Sequence, residues 1–304
     1  MTRSIGETRI HPWTRFTRML RHKGQVALLL SKEVFEDRST LPLRLYQRSR
    51  KGRARPGTFR APFGKIAYLD AISAFHQLHE IFHRHIYDIA VQSAAPTIVD
   101  CGGNIGLSVI RFKQQNPDAA ITVYEADPQI ADILETNIRH LSKVKVVRSA
   151  VGAANGHVAF APDGGEGGCV VSHADLMVPC TRLSDEIVAT VDILKMDIEG
   201  SEFEVMQDLC ATGKIALIEN IMMEIHSDVD TQQQLGELWL ALTEAGFRLA
   251  IHEAFPAPPR DSTEFPPFAC LENSRFQLVV YAWRAQPQSS ARQDVEQPTS
   301  TFCV

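Results

Sequence analysis

A chain of 304 residues, 44% of them apolar, can bury one large core and only just reaches the size at which chains divide into domains. Its net charge of -5 conceals two unlike parts, because the first 60 residues hold 15 Lys/Arg against 4 Asp/Glu and the rest is acidic. No apolar run approaches the roughly 20 residues that cross a bilayer, and the six cysteines are scattered without a C-x-x-C pair, which argues against a zinc site or a disulfide framework and predicts a reducing, cytoplasmic setting.

From Ile10 to Leu20, Ile10, Trp13, Phe16 and Leu20 recur at helical spacing among Arg15, Arg18 and Arg21, which predicts a basic amphipathic helix. It packs as a cap on its own domain or lies on an anionic membrane or a partner. Residues 48–64 are basic and rich in breakers and read as a loop or linker. The organisation expected is a basic extension over 1–65, a catalytic domain over 66–284 and a disordered Gln/Ser/Pro-rich tail over 285–304.

Ala71 to Ala90 carries one apolar stripe, Phe75, Leu78, Phe82, Ile86 and Ile89, so a helix is predicted there. His76, His79 and His83 share another face, but nothing resembles H-E-x-x-H, and the row reads as a polar face rather than a metal site. From Thr97 onward short β-like runs alternate with helical ones. Strands are predicted at 97–101, 120–126, 144–150, 191–197, 219–226, 247–253 and 276–284, with helices at 105–115, 129–141, 201–211 and 231–245. That alternation means βαβ units: an α/β fold with a mostly parallel sheet and helices on both faces. Residues 157–183 read as extra strands around a glycine loop, and the last two strands as an antiparallel hairpin at a sheet edge.

Ligands of open α/β sheets bind at the carboxyl ends of the strands. The first strand ends in "DCGGNIG": Asp100 closes it, Gly102 and Gly103 turn, Asn104 braces the turn and Gly106 opens the helix. This is not the dinucleotide G-x-G-x-x-G, because Asn104 fills the middle glycine position. Glu125 follows about 20 residues later, where a carboxylate accepts hydrogen bonds from a ribose diol. Ser149 and Ala150 end the third strand beside the expected base slot. The fourth strand runs into "LKMDIEGSEFEVM", with Asp197 and Glu199 at the crevice, and the fifth ends in "MMEIH", adding Glu224 and His226. A histidine there can act as a general base, since its ordinary pKa is about 6.5.

Taken in order, "EIFHRHIYD", "IVDCGGNIG", "VYEADP", "LKMDIEGSEFEVM" and "MMEIH" resemble the FkbM family of S-adenosyl-L-methionine (SAM) dependent methyltransferases over about the middle half of the chain. The resemblance implies the Rossmann-like class I methyltransferase fold, with seven strands of which one at the edge is antiparallel, and methyl transfer to a hydroxyl of a sugar or secondary metabolite. It assigns Asp100, Gly102, Asn104 and Gly106 to the SAM turn, Glu125 to the ribose, and Asp197, Glu199 and His226 to the reacting centre. Gly103 stands where the family often has alanine, an exchange expected to be tolerated. A divalent ion clamping the acceptor is not decided by spacing, and no metal ligand is assigned. The partner expected is a small-molecule or glycan acceptor, not nucleic acid. Two alternatives stay open: a non-catalytic scaffold docking through its basic segment, and an RNA-directed methyltransferase, against which "DIEG" stands in place of an Asn/Asp-Pro-Pro-aromatic motif.

Overall fold

The computed structural model describes residues 56–165, 167–227, 231–255 and 276–284. The amphipathic segment 10–20 and the tail after Arg284 lie outside them. The described chain opens with a hairpin in which β1 (Gly57–Ala61) runs antiparallel to β2 (Gly64–Tyr68), so the loop expected over 48–64 is corrected from Gly57 onward. Its alternation sends Phe59, Ile66 and Tyr68 into the core and leaves Arg60 and Lys65 exposed. Of the charges and breakers that suggest a solvated connector, Arg60 lies on the outer face of this hairpin and Pro62 at its turn, while 48–55 lie outside the described residues.

Helix α1 (Ala71–Leu78) starts at Asp70, whose carboxylate accepts from the Ile72 and Ser73 amides at 2.9 Å each. The helix expected to reach Ala90 stops early. After Leu78 the chain widens into a π-turn, His79–His83, with the Arg84 amide donating to the His79 carbonyl, and His85 turns left-handed at φ 58°. Beyond this break Ile86 and Tyr87 enter the core, and the Tyr281 hydroxyl donates to the Ile86 carbonyl at 2.8 Å.

The central elements then follow: β3 (Thr97–Cys101), α2 (Leu107–Gln115), β4 (Ala120–Tyr124), α3 (Pro128–Ile138) and β5 (Val144–Val147). A second set of strands follows, β6 (Ala150–Gly152), β7 (Gly156–Ala161), β8 (Cys169–Val171) and β9 (Leu176–Arg182). The chain ends with β10 (Val191–Met196), α4 (Glu202–Ala211), β11 (Ile218–Ser227), α5 (Gln232–Glu244), β12 (Phe247–Phe255) and β13 (Phe276–Arg284). One sheet has the order β12-β13-β11-β10-β3-β4-β5. Its strands are parallel except β13, which is inserted antiparallel between β11 and the edge strand β12. This is the seven-stranded order of Rossmann-like class I methyltransferases.

Strands covered on both faces are mostly apolar, and β3 and β10 are buried along nearly their whole length. One face packs on α2, α3 and the hairpin through Val109, Phe112, Leu134 and Ile138; the other packs on α4 and α5 through Phe203, Val205, Leu209 and Leu242. The run expected as one strand over 144–150 is divided: β5 ends at Val147, and β6 joins the four-stranded sheet β6-β9-β7-β8, which carries the glycine loop. Among the described residues no helix is long and apolar enough to cross a membrane.

Asn137 ties the hairpin to this core. Its side chain accepts from the Ala67 amide at 2.8 Å and donates to the carbonyls of Ala67 at 3.0 Å and Ile105 at 2.8 Å. Removing a buried partner strands the groups it served, at about 1–3 kcal/mol each. Asn137→Ala is therefore expected to lower unfolding free energy by about 2–4 kcal/mol in urea titration and to speed hydrogen exchange at Ala67 more than in α5.

A candidate active site at the strand ends

The sheet reverses its winding between β3 and β10, and there, at the carboxyl ends of β3, β4, β10 and β11, lies a cleft of about 430 Å³. Gly102, Gly103, Asn104, Glu125, Ser149, Ala150, Asp197 and Glu199 line it, as does Glu224. Asp100 and Gly106 lie beneath the turn instead, and His226 stands behind the acidic wall.

The turn is built by close approach. Gly102 sits at φ 86°, and a Cβ there would come within 1.9 Å of the Asp197 carbonyl oxygen, so the loops after β3 and β10 touch backbone to backbone. Gly103 has no more room, since a Cβ would meet Val123 at 2.2 Å and Leu134 at 2.7 Å. In this chain the glycine standing where the family often has alanine fits the turn, and an alanine would need these two core side chains to move. Asn104 braces the turn: at φ 43°, it takes hydrogen bonds from Gln77 and the Ile105 amide and donates to Gly165 of the glycine loop. Its own amide donates to Glu125 Oε2 at 2.8 Å, while the Asp127 amide donates to Oε1 at 2.9 Å. Glu125 is 8% exposed, and burial raises its carboxyl, against those two amides, to about 7. The Ser149 hydroxyl is engaged with Thr181 and Ala150.

Under the turn lies Lys195, to which the spacing of the fourth-strand motif assigns no role. It is 2% exposed, its Nζ donates to the Gly102 carbonyl at 2.5 Å, and it stands 3.4 Å from Asp100 and 3.6 Å from Asp197. Burial works against its charge, but the Tyr87 oxygen, Asp100 and Asp197 outweigh this and hold the ammonium well above its ordinary pKa. Asp100 is fully buried and accepts from Ser108 at 2.6 Å, so its visible work is to hold Lys195 and α2. A lysine inside the apolar run of a parallel strand was the signal available in the sequence.

At the far end, Asp197, Glu199 and His226 converge, each offering a ligand atom within 4.8 Å of the others. Glu199 adopts φ 57°, sparsely populated for a residue with a Cβ, and Gly200 follows at φ 114°. His226 Nε2 lies 3.3 Å from Glu199 and 3.7 Å from Glu224. Its Nδ1 lies 3.1 Å from Glu202, which is wholly buried and also accepts from the amides of Ile198 and Gly200. Burial disfavours the imidazolium, but the Glu202 hydrogen bond and the charges of Glu202, Glu199 and Asp197 raise its pKa to about 10. Glu224 is pushed to about 8, first by burial and then by Asp197. Glu202 has the sequence signature of a helix-start acid, and its grip on His226 comes only from the fold.

Breaking a buried ion pair from one side costs about 3–5 kcal/mol. Lys195→Met is expected to destabilise the protein by that much in chemical denaturation, and adding Asp100→Asn to it should recover a substantial part.

Residues 100–249 match the family model described as the methyltransferase FkbM domain. Over 229 residues the chain is 28% identical to methyltransferase sdnD of Sordaria araneosa, a match covering 60% of this chain and 85% of that protein. It is 26% identical over 160 residues to 2-O-methyltransferase NoeI of Sinorhizobium fredii, covering 44% of this chain and 64% of that one. A methyltransferase FkbM structure from Methylobacillus flagellatus is similar at 15% identity and a TM-score of 0.43, covering 64% of this chain and 45% of the other. Residues 100–249 are thus a methyltransferase FkbM domain, which places the chain among the methyltransferases.

Proposed function

We propose that this protein is a SAM-dependent O-methyltransferase acting on a hydroxyl of a small polar molecule or sugar. The observation that carries the reading is one cleft with a glycine turn and a buried carboxylate at one end and three carboxylates backed by a histidine at the other. The residues fit a nucleoside-bearing methyl donor. Gly102 and Gly103 keep side chains out of the turn, Glu125 lines the cleft with each oxygen already fixed by an amide, and Ile130, Ala150, Val151 and Phe160 supply apolar wall. The volume lies within the range of small-ligand sites, about 300–1,000 Å³. When bound, SAM supplies a methyl group activated on a sulfonium.

The chain's own part is to orient the acceptor and manage its proton. Asp197, Glu199 and Glu224 present acceptor oxygens suited to hydroxyl donors, and His76, Glu80, Arg84 and Gln277 make the cleft lining polar. A hydroxylated acceptor suits this wall better than an apolar one. His226, held as an imidazolium, is already carrying the proton that a base must accept, so its work in this state is to fix Glu199 and Glu224. Glu224, near 8, is the group matched for proton transfer close to neutrality, with Asp197 beside it. The name of the similar 2-O-methyltransferase supports oxygen as the nucleophile. The division into an N-terminal extension, a methyltransferase unit and a tail belongs to the same proposal, with the unit's start moved back to Gly57 by the hairpin.

Two outcomes test this. Glu125, raised from 4.5 to about 7, keeps in the fold a proton that the unfolded chain loses. Its contribution to stability is full below its unfolded value and is lost as pH rises through about 7. A ribose diol needs the ionised form, so SAM affinity by isothermal titration should run the other way, falling about tenfold from pH 8 to pH 6. Glu125→Gln should bind weakly with a flat profile; a flat wild-type profile removes Glu125 from the ribose site. For the reacting end, His226→Gln is expected to keep SAM affinity while turnover with labelled methyl-SAM falls at least about 10²-fold; unchanged turnover removes this cluster from the chemistry.

A further inference from the structure

We infer that Asp197, Glu199 and His226 form a binding site for one divalent metal ion at the acceptor end of the cleft. The inference rests on the reading of that end as the acceptor side. Three features of the structure carry it. The first is convergence: carboxylates from the loop after β10 and an imidazole from β11 bring three ligand atoms within 4.8 Å of one another. His226 Nε2 and Glu199 Oε2, 3.3 Å apart, stand close to the edge length of a coordination polyhedron with bonds of about 2.1 Å.

The second is the state of the imidazole. His226 Nε2 is buried and has no hydrogen-bond partner in the structure, although its ring is 85% withdrawn from solvent (side-chain exposure 15%). A buried ring nitrogen set against two carboxylates without a hydrogen bond leaves a place for an ion there, and the ion would displace the proton that the metal-free imidazole carries. The third is the support behind it. Nδ1 is held by the wholly buried Glu202 at 3.1 Å, and Glu202 is itself fixed by two backbone amides. A carboxylate on the remote nitrogen of a histidine is the arrangement that sets the tautomer and direction of a metal-ligating ring.

One nitrogen and two carboxylates suit a first-row divalent ion of the Mn²⁺, Fe²⁺, Co²⁺ or Zn²⁺ kind better than Ca²⁺, which takes oxygen ligands alone. Three protein ligands leave coordination positions open. Asp197 and Glu199 line the cleft, so those positions face the space assigned to the acceptor, and Glu224 borders the same space. An ion there would hold an acceptor hydroxyl and ease the loss of its proton, as Lewis acids do. The row of His76, His79 and His83, by contrast, does not bring three ligand atoms to a common point among the described residues.

The test uses the full chain, stripped with chelator and titrated with MnCl₂ while the electron paramagnetic resonance signal of free Mn²⁺ is read. One saturable ion per chain is expected. Asp197→Asn and His226→Gln should abolish it, Glu202→Gln should weaken it about 10–100-fold, and Asp132→Asn on the outer surface should leave it unchanged. Thermal melts of each variant show whether loss of binding is loss of fold; Glu202→Gln with an unchanged melt and weakened binding is then decisive. No saturable binding, or binding that survives both Asp197→Asn and His226→Gln, overturns the site. The readout is independent of methyl transfer: Mn²⁺ binding without SAM binding supports the metal site while removing the methyltransferase reading, and SAM turnover without Mn²⁺ binding does the reverse.

Discussion

One buried ammonium organises the catalytic face of this protein. Lys195 is enclosed at the point where β3 and β10 part, and its charge is balanced by Asp100, Asp197 and the carbonyls of Cys101 and Gly102. A charge in so dry a place is stable only with its partners in position, which fixes both strand-end loops at once. The same contact explains Gly102, because a turn drawn against the Asp197 backbone has no room for a Cβ. It also explains how an acidic wall can exist across the cleft: Lys195 and His226 are two cations set behind three carboxylates, Asp197, Glu199 and Glu224.

From that constraint the two ends of the cleft differ in kind. At the Glu125 end, amides hold a carboxylate in a buried place where ionisation is costly, so the group is sensitive to whatever donates hydrogen bonds to it. At the Glu224 end, carboxylates crowd together and compete for protons and cations, which places one of them near neutrality and the neighbouring imidazole far above it. A site that first grips a polyhydroxylated nucleoside and then manages a hydroxyl proton needs this contrast. The small sheet of β6 to β9 covers the cleft through the contact of Asn104 with Gly165, so the insertion is joined to the turn it covers.

Much of this was legible in the sequence, for reasons that can be stated residue by residue. Apolar runs such as "TIVDC" and "VDILKM" have a single comfortable place, inside a parallel sheet, and the helices between them carry plain stripes, so the seven strands fall where periodicity puts them. The glycine turn and Glu125 are legible because both rest on local spacing. What escaped is what depends on distant partners. The β1–β2 hairpin was hidden by Arg60 and Lys65 on its outer face, and the early end of α1 by an apolar stripe that continues past it in a different backbone form. Lys195, Glu202 and Glu224 were present in quoted motifs, but their pairing with Asp100 and His226 is made by contacts across strands that no spacing announces.

The central claim is that one cleft seats a SAM-type donor at Glu125 and an acceptor at the Asp197–Glu199–Glu224 wall. A crystal structure of the full chain with S-adenosylhomocysteine tests it most directly. The account predicts ribose hydroxyls within hydrogen-bond distance of Glu125, with the amino-acid end over the Gly102–Asn104 turn and open space left against the acidic wall. Density for the ligand elsewhere, or a cleft whose acidic wall is filled by the nucleoside itself, would contradict it.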